Sequence, residues 1–426
     1  MCPVEDRRAG LHTEAGGSRP ARAPQPAARA VAPAVDAAAP YSTFVPVGRF
    51  YVDASLGASL GAVGVWRLLW DQQREFLADE GKKIRRRGML DASAPAALAN
   101  AVRATRWTWQ YLRRRNAVGG TGLRLPVSGE IAIVRRSGAV KVLDLAREQV
   151  ATVMAQPQAR RKLRERVEQV RSVENYPFAP RLTAVALEQG WFAEAFVRGA
   201  HPIAFRGCDE GFGDVYLPLL VAFARAAPPE QTQLGSYALE LAQTILAPDG
   251  LLARLPDEPR ARVRAFVRGV SERVADAPAA SEPLPLVLSH GDFFSGNVVV
   301  SNSGALQAID WAHVGRRSPL HDLYFVAMSY CGKVMPPKPL AGRIGAMVAS
   351  LRAQLEQEDP ARFRLLDHAL RDRDELRRLF YLECIAVPLL HCDDPDDRYV
   401  AAMLERVRMF RAFEQALGAH DRAAAR

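Results

Sequence analysis

The residues with the clearest chemical potential lie in one run, His290-Gly291-Asp292-Phe293-Phe294-Ser295-Gly296-Asn297. After it come three valines, a turn over Asn302 to Gly304, and Ala308-Ile309-Asp310-Trp311. Two carboxylates and an amide in this order match what phosphoryl transfer asks of a protein. One carboxylate must stand beside the acceptor hydroxyl, and hard oxygen ligands must hold a magnesium ion that neutralises charge on nucleotide phosphates. Asp292 fits the first role, and Asn297 and Asp310 fit the second. Thirteen residues separate Asn297 from Asp310. The alternation of apolar and turn residues between them predicts a hairpin, which reverses the chain and brings Asp310 back toward Asn297.

The elements that must position these groups follow from periodicity. LRLPV, EIAIVRR and AVKVLDL read as three short β segments separated by Ser128-Gly129 and Ser137-Gly138 turns. Ala146 to Val173 reads as a charged helix ended by Pro177 and Pro180, and RLTAVAL and GWFAEAFV give two more strands around Gln189-Gly190. From Gly213 the pattern is helical almost to the end, apart from the hairpin. Five strands and a helix followed by a helical half predict a two-lobed α+β arrangement. Lys141 stands inside the apolar AVKVL strand, where a cation needs a partner.

In these motifs the sequence resembles the kinase-like phosphotransferase family, small-molecule kinases of the aminoglycoside phosphotransferase and choline kinase type, whose catalytic loop reads H-G-D-x-x-x-x-N. All four fixed positions are present. Ile309-Asp310-Trp311, Gly315 and Ser318-Pro319-Leu320-His321-Asp322-Leu323 are similar downstream, where the family has an Asp-Leu that buttresses the loop. The resemblance implies a two-lobed protein-kinase-like fold, α+β, with a five-stranded antiparallel N-lobe and a mostly helical C-lobe. It implies ATP and Mg2+ as cofactors, Asp292 as the catalytic base, and Asn297 and Asp310 as metal ligands. Lys141 would clamp the α- and β-phosphates, paired with a glutamate of the next helix. Glu165 is preferred there to Glu168, and Glu148 lies too near the strand end.

Glu194 to Gly199, with Phe196, resembles the interlobe linker whose backbone pairs with the adenine edge. The only glycine-loop candidate is Val127-Ser128-Gly129-Glu130, which departs from the full G-x-G-x-x-G pattern and leaves ATP against GTP open. His290 looks base-like or metal-like by itself; its family equivalent, like that of Asp322, supports the loop. Phe293 and Phe294 occupy the place where protein kinases usually carry a basic residue two positions after the aspartate. That bulk argues against a protein hydroxyl, and the resemblance implies an acceptor hydroxyl on a small molecule of the aminoglycoside, sugar or amino alcohol type. A catalytically silent kinase-like module that binds nucleotide or acts as a scaffold is the alternative. Against it stands the joint presence of Asp292, Asn297, Asp310 and Lys141.

The rest of the chain sets the boundaries. It has 426 residues, 49% hydrophobic and 24% charged, which excludes a wholly disordered or coiled-coil protein. Residues 1–40 read as a disordered tail, 41–116 as a basic helical extension, 117–198 as the nucleotide-binding N-lobe and 199–426 as the C-lobe. The net charge is +10, and Gly81 to Arg124 alone carries eleven basic residues and one acid, Asp91. Between Ala92 and Arg115 a helix is expected, with Leu98, Val102, Trp109 and Leu112 along one side and a solvated basic face rather than a nucleic-acid surface. Trp107, Trp109 and Tyr111 are expected to cover apolar surface on the N-lobe. His391 to Asp397 reads as a solvated acidic turn around Pro395 rather than a second metal site. The five scattered cysteines fit a reducing cytoplasm, and no run reaches the ~20 apolar residues of a membrane span. The oligomeric state is not legible.

Overall fold

The computed structural model describes residues 41–47, 50–55, 62, 65–68, 94–114, 123–134, 139–154, 160–202, 211–301, 303–330, 335–391 and 398–424. The expected tail over 1–40, the first part of the basic run and the acidic turn after His391 lie outside the described residues.

The N-lobe is built on one antiparallel sheet. Its strands are β1 (Ser42–Val47), β2 (Phe50–Asp53), β3 (Leu123–Leu125), β4 (Ile131–Val134), β5 (Ala139–Asp144), β6 (Gln149–Met154), β7 (Leu182–Ala186) and β8 (Trp191–Ala195). They lie in the order β3-β1-β2-β4-β5-β6-β8-β7. The sheet therefore has eight strands where the sequence pattern predicts five. Two of the additional ones come from the segment before Asp53, where β2 pairs with β4 and β1 bridges to β3. The third is β6, in a stretch that reads as helix. Its Val150, Thr152 and Val153 are β-branched and favour a pleated strand. Glu148, at φ 52°, closes the tight turn that returns the chain along β5. Six residues are too few for periodicity to separate strand from helix.

Helix α1 (Ala94–Arg114) matches the expected span. Its buried side is displaced from the expected one. Ala104, Thr108 and Tyr111 face inward, and the Tyr111 hydroxyl donates to the carbonyls of Asp53 and Ala54 at 3.0 and 3.1 Å. Trp107 packs partly against Val52 and Val65. Val102 and Trp109, expected on the covered side, are 60% and 57% exposed, with the Arg113 guanidinium lying 4.5 Å from the Trp109 ring centre. Helix α2 (Arg160–Arg171) crosses the sheet, burying Leu163, Val167 and Val170 against Ala139, Met154 and Phe192. The opposite face of the sheet packs Val140, Val142, Ala151, Val153 and Trp191 with Phe44 and Leu125.

Beyond β8 the chain passes through β9 (Gly199–Ala200) into the helical part: α3 (Leu217–Ala226), β10 (Glu230–Gln233), α4 (Leu234–Ile245), α5 (Asp257–Ala275) and β11 (Pro283–Ser289). There follow β12 (Val298–Ser301), β13 (Leu306–Ala308), β14 (Gly315–Arg317), α6 (His321–Tyr330), α7 (Pro337–Glu358), α8 (Pro360–Leu366), α9 (Asp374–His391) and α10 (Arg398–Ala424). A large core holds these helices together around Phe223, Tyr324, Phe380, Tyr381 and Phe410. Strand β9 pairs with β12, placing Gly199 opposite Ser301. A Cβ on Gly199 would fall 2.1 Å from the Val300 carbonyl oxygen, so only glycine lets the linker lie this close to the hairpin. Among the described residues no helix is long and apolar enough to cross a membrane.

Candidate active site

The loop after β11 is fixed from below by Asp322 in the first turn of α6. Its buried carboxylate accepts the N–H groups of His290 and Gly291 at 2.8 and 3.0 Å. His290 is fully buried, and burial holds its imidazole below the usual histidine pKa, in the neutral form. Its Nε2 donates to the Ile309 carbonyl at 3.0 Å, which leaves Nδ1 to accept the Asp292 N–H at 3.4 Å. With both ring nitrogens engaged by backbone, His290 shapes the loop and is not a free base. Gly291 has φ 80°, and a Cβ there would lie 2.4 Å from the His313 carbonyl oxygen. Phe293 is fully buried edge-on against Tyr216 and Phe223, and Trp311 lies 4.6 Å from the His290 ring.

The expected hairpin forms. Val298 pairs with Ala308 and Val300 with Leu306, and the Ile309 N–H donates to the Asn297 carbonyl at 2.8 Å. The Asn297 side-chain amide donates to the Asp292 carbonyl at 2.9 Å and to its carboxylate at 3.4 Å. Asp292, Asn297 and Asp310 are thereby gathered at the mouth of one hairpin. Asp310 sits at φ 63°, a left-handed conformation that aspartate tolerates better than most residues and that re-aims its side chain.

The sheet faces this hairpin with cations. Lys141, on β5, reaches the Glu194 carboxylate at 3.8 Å, and Arg166, on α2, reaches Asp310 at 3.8 Å. Glu194 is buried, which pushes its carboxyl above the usual range against the opposing pull of Lys141. The partner of Lys141 is therefore Glu194 and not a helix glutamate. Glu165 is more than half exposed beside Arg161, and Glu168 is likewise exposed and bonded to Arg171 at 2.9 Å. The reason is geometric. Leu163, Val167 and Val170 set the buried stripe of α2, and Glu165 and Glu168 fall on its far side while Arg166 falls beside it.

Phe196 follows directly on β8, and its N–H donates to the Glu148 carbonyl at 2.7 Å within the β5–β6 turn. Ser128 and Gly129 sit at the same linker end of the sheet. The Ser128 hydroxyl accepts from Arg147 at 2.8 Å, and a Cβ on Gly129 would lie 2.6 Å from the Leu143 carbonyl oxygen. This packing places Gly129 against β5 at Val142 and Leu143. The β4–β5 turn at 135–138, on the opposite end of those strands, lies outside the described residues.

Two contributors were not legible. Arg166 is one; the i,i+3 step from Leu163 was the signal that would have found it. Glu383, on α9, is the other. It is buried and accepts from the Ser318 N–H and hydroxyl at 2.8 Å each and from His321 Nδ1 at 3.0 Å, fixing the segment just before Asp322.

The donor set fits a magnesium nucleotide. With its NH2 turned to Asp292, Asn297 keeps its amide oxygen as an acceptor, and Asp310 adds a carboxylate about a third exposed. These are hard oxygen donors of the kind magnesium shares with phosphates and water. Among the described residues no group of three or more His, Cys, Asp or Glu side chains gathers as a metal site.

Residues 218–337 match the phosphotransferase enzyme family. The match encloses Asp292, Asn297, Asp310 and Asp322 and leaves out the sheet with Lys141 and Glu194. Similar solved structures include an aminoglycoside phosphotransferase from Streptomyces rimosus, 17% identical, covering 60% of this chain and 92% of that one at a TM-score of 0.38. A choline kinase from Streptococcus pneumoniae is 12% identical over 65% of this chain and 90% of that one, with a TM-score of 0.40. An ethanolamine kinase from Plasmodium vivax is 13% identical over 65% and 80%, also at 0.40. No curated protein matches the sequence. The resemblance to kinase-like phosphotransferases is thus met by a family match over the His290–Asn297 loop and its supports, in a chain with a sheet lobe and a helical part.

Proposed function

We propose that this protein is an ATP-dependent phosphotransferase that moves the γ-phosphate to a hydroxyl of a small molecule of the aminoglycoside, sugar or amino alcohol type. The observation that carries this reading is the hydrogen-bonded set at the hairpin, in which Asn297 is tied to Asp292 by its side chain and to Ile309 by its backbone. Asp292 takes the proton of the acceptor hydroxyl as its oxygen attacks, while the buried amide of Asn297 holds the loop carboxylate in place. Asn297 and Asp310 hold magnesium, which supplies charge neutralisation to the phosphates. Lys141, oriented by Glu194, binds those phosphates from the sheet side.

The test is release of ADP from Mg·ATP by purified protein offered aminoglycosides, amino alcohols and monosaccharides in turn, with the phosphorylated product identified by mass. Turnover dependent on one acceptor class supports the assignment. Nucleotide binding with no acceptor-dependent turnover in any class would favour the silent nucleotide-binding module.

A further inference from the structure

Helix α2 presents a cation to the site where a carboxylate was expected. Arg166 lies beside the buried Leu163 and Val167 and is about one-third exposed, with its guanidinium 3.8 Å from Asp310. That distance is an ion pair but too long for a hydrogen bond. Among the described residues no hydrogen bond is assigned to the Arg166 guanidinium, whose planar fork of five donors matches phosphate oxygens. The neighbourhood also balances in charge. Lys141 and Arg166 face Glu194 and Asp310, and the Glu194 carboxyl responds to all three of the others. A carboxylate that turns to a divalent cation no longer neutralises Arg166, which frees the guanidinium to take another anion within its reach.

From this geometry we infer that Arg166 is a nucleotide-phosphate ligand, a second cation delivered by α2 in addition to Lys141, which exchanges Asp310 for phosphate oxygens when nucleotide binds. The inference rests on the phosphotransferase reading above and adds to it a residue outside the catalytic motif.

Calorimetric titration of ATP, ADP and adenosine into the full-length protein and its Arg166→Ala and Arg166→Lys variants tests it, with thermal melting of each as the folding control. Arg166→Ala should weaken ATP and ADP at least about tenfold and leave adenosine unchanged, because only the phosphates lose a contact. Arg166→Lys should fall between, keeping the charge and losing the fork. If Arg166→Ala does not fold, Arg166→Lys alone decides by the same difference between ADP and adenosine. Wild-type affinity for ADP in both variants overturns the inference and leaves the phosphotransferase reading standing. So does an equal loss for ADP and adenosine, which marks a structural role, or tighter binding of ATP, which marks Arg166 as a competitor for Asp310. Failure of the wild-type protein to bind any of the three overturns the reading itself, and the inference with it.

Discussion

The hairpin side and the sheet side of the site are built in different ways. On the hairpin, Asp322, His290, Asn297 and Ile309 are joined by hydrogen bonds of 2.8 to 3.0 Å within 33 residues of sequence. On the sheet, Lys141, Arg166 and Glu194 come from three separate elements, and the two cations meet Glu194 and Asp310 in 3.8 Å ion pairs. The loop that carries Asp292 is anchored through the backbone of its neighbours, while the Asp292 carboxylate itself accepts from the Asn297 amide at 3.4 Å. The cations of the sheet side act on their partners over longer range, which tolerates looser placement. Damage to the hairpin should therefore cost folding or chemistry, and damage to the sheet side should cost affinity.

The largest difference is expected at Gly291. Its φ of 80° and a Cβ 2.4 Å from a backbone oxygen predict that Gly291→Ala loses at least about 3 kcal/mol of stability or yields no folded protein. Gly304 has φ 81° with open space around it, so Gly304→Ala should cost only about 1 kcal/mol. Denaturant unfolding of the two variants separates crowding from backbone strain. Next in size, Asp310→Asn should weaken magnesium-dependent nucleotide binding about tenfold and more than Asn297→Ala does, because a carboxylate is the better ligand for a hard cation. Equal and unperturbed affinities would place the metal elsewhere.

On the sheet side, double-mutant cycles in nucleotide binding should give a coupling of at least about 0.5 kcal/mol between Lys141 and Glu194 and none beyond about 0.3 kcal/mol between Lys141 and Glu165. The reverse pattern would restore the helix glutamate as partner. The smallest effect is a pH slope. Burial lowers the folded-state pKa of His290, so the unfolded chain binds the extra proton first as pH falls. Its contribution to stability is complete above about 6.5 and is lost below it. Melting temperature should therefore decline as pH drops below that value, with a shallower decline in His290→Gln.

The hairpin is legible because its groups are close in sequence and its turn and strand residues are unambiguous. Asn297 and Asp310 need only one reversal between them, which Asn302 to Gly304 announce. The sheet was only partly legible. Each strand holds three to six residues, and β6, between a turn and a charged helix, offers too short a pattern to be told from that helix. The partner of Lys141 was not legible because it depends on which face of β8 and of α2 turns inward. Glu194 and Glu165 are both glutamates near an apolar run, and only the register of β8 against β6, with Glu194 opposite Val150, puts one of them beside the lysine. Likewise the buried side of α1 turned on Tyr111 finding the Asp53 carbonyl, a contact across 58 residues that helical periodicity does not contain.

One comparison bears most directly on the assignment of Asp292: acceptor-dependent phosphate transfer and Mg·ATP affinity measured side by side for the wild-type protein and Asp292→Ala. Removal of a base that touches the acceptor and not the nucleotide should lower kcat by at least ~10²-fold with ATP affinity nearly intact. Unchanged turnover of the same acceptor by Asp292→Ala would contradict the assignment of the hairpin as the catalytic centre.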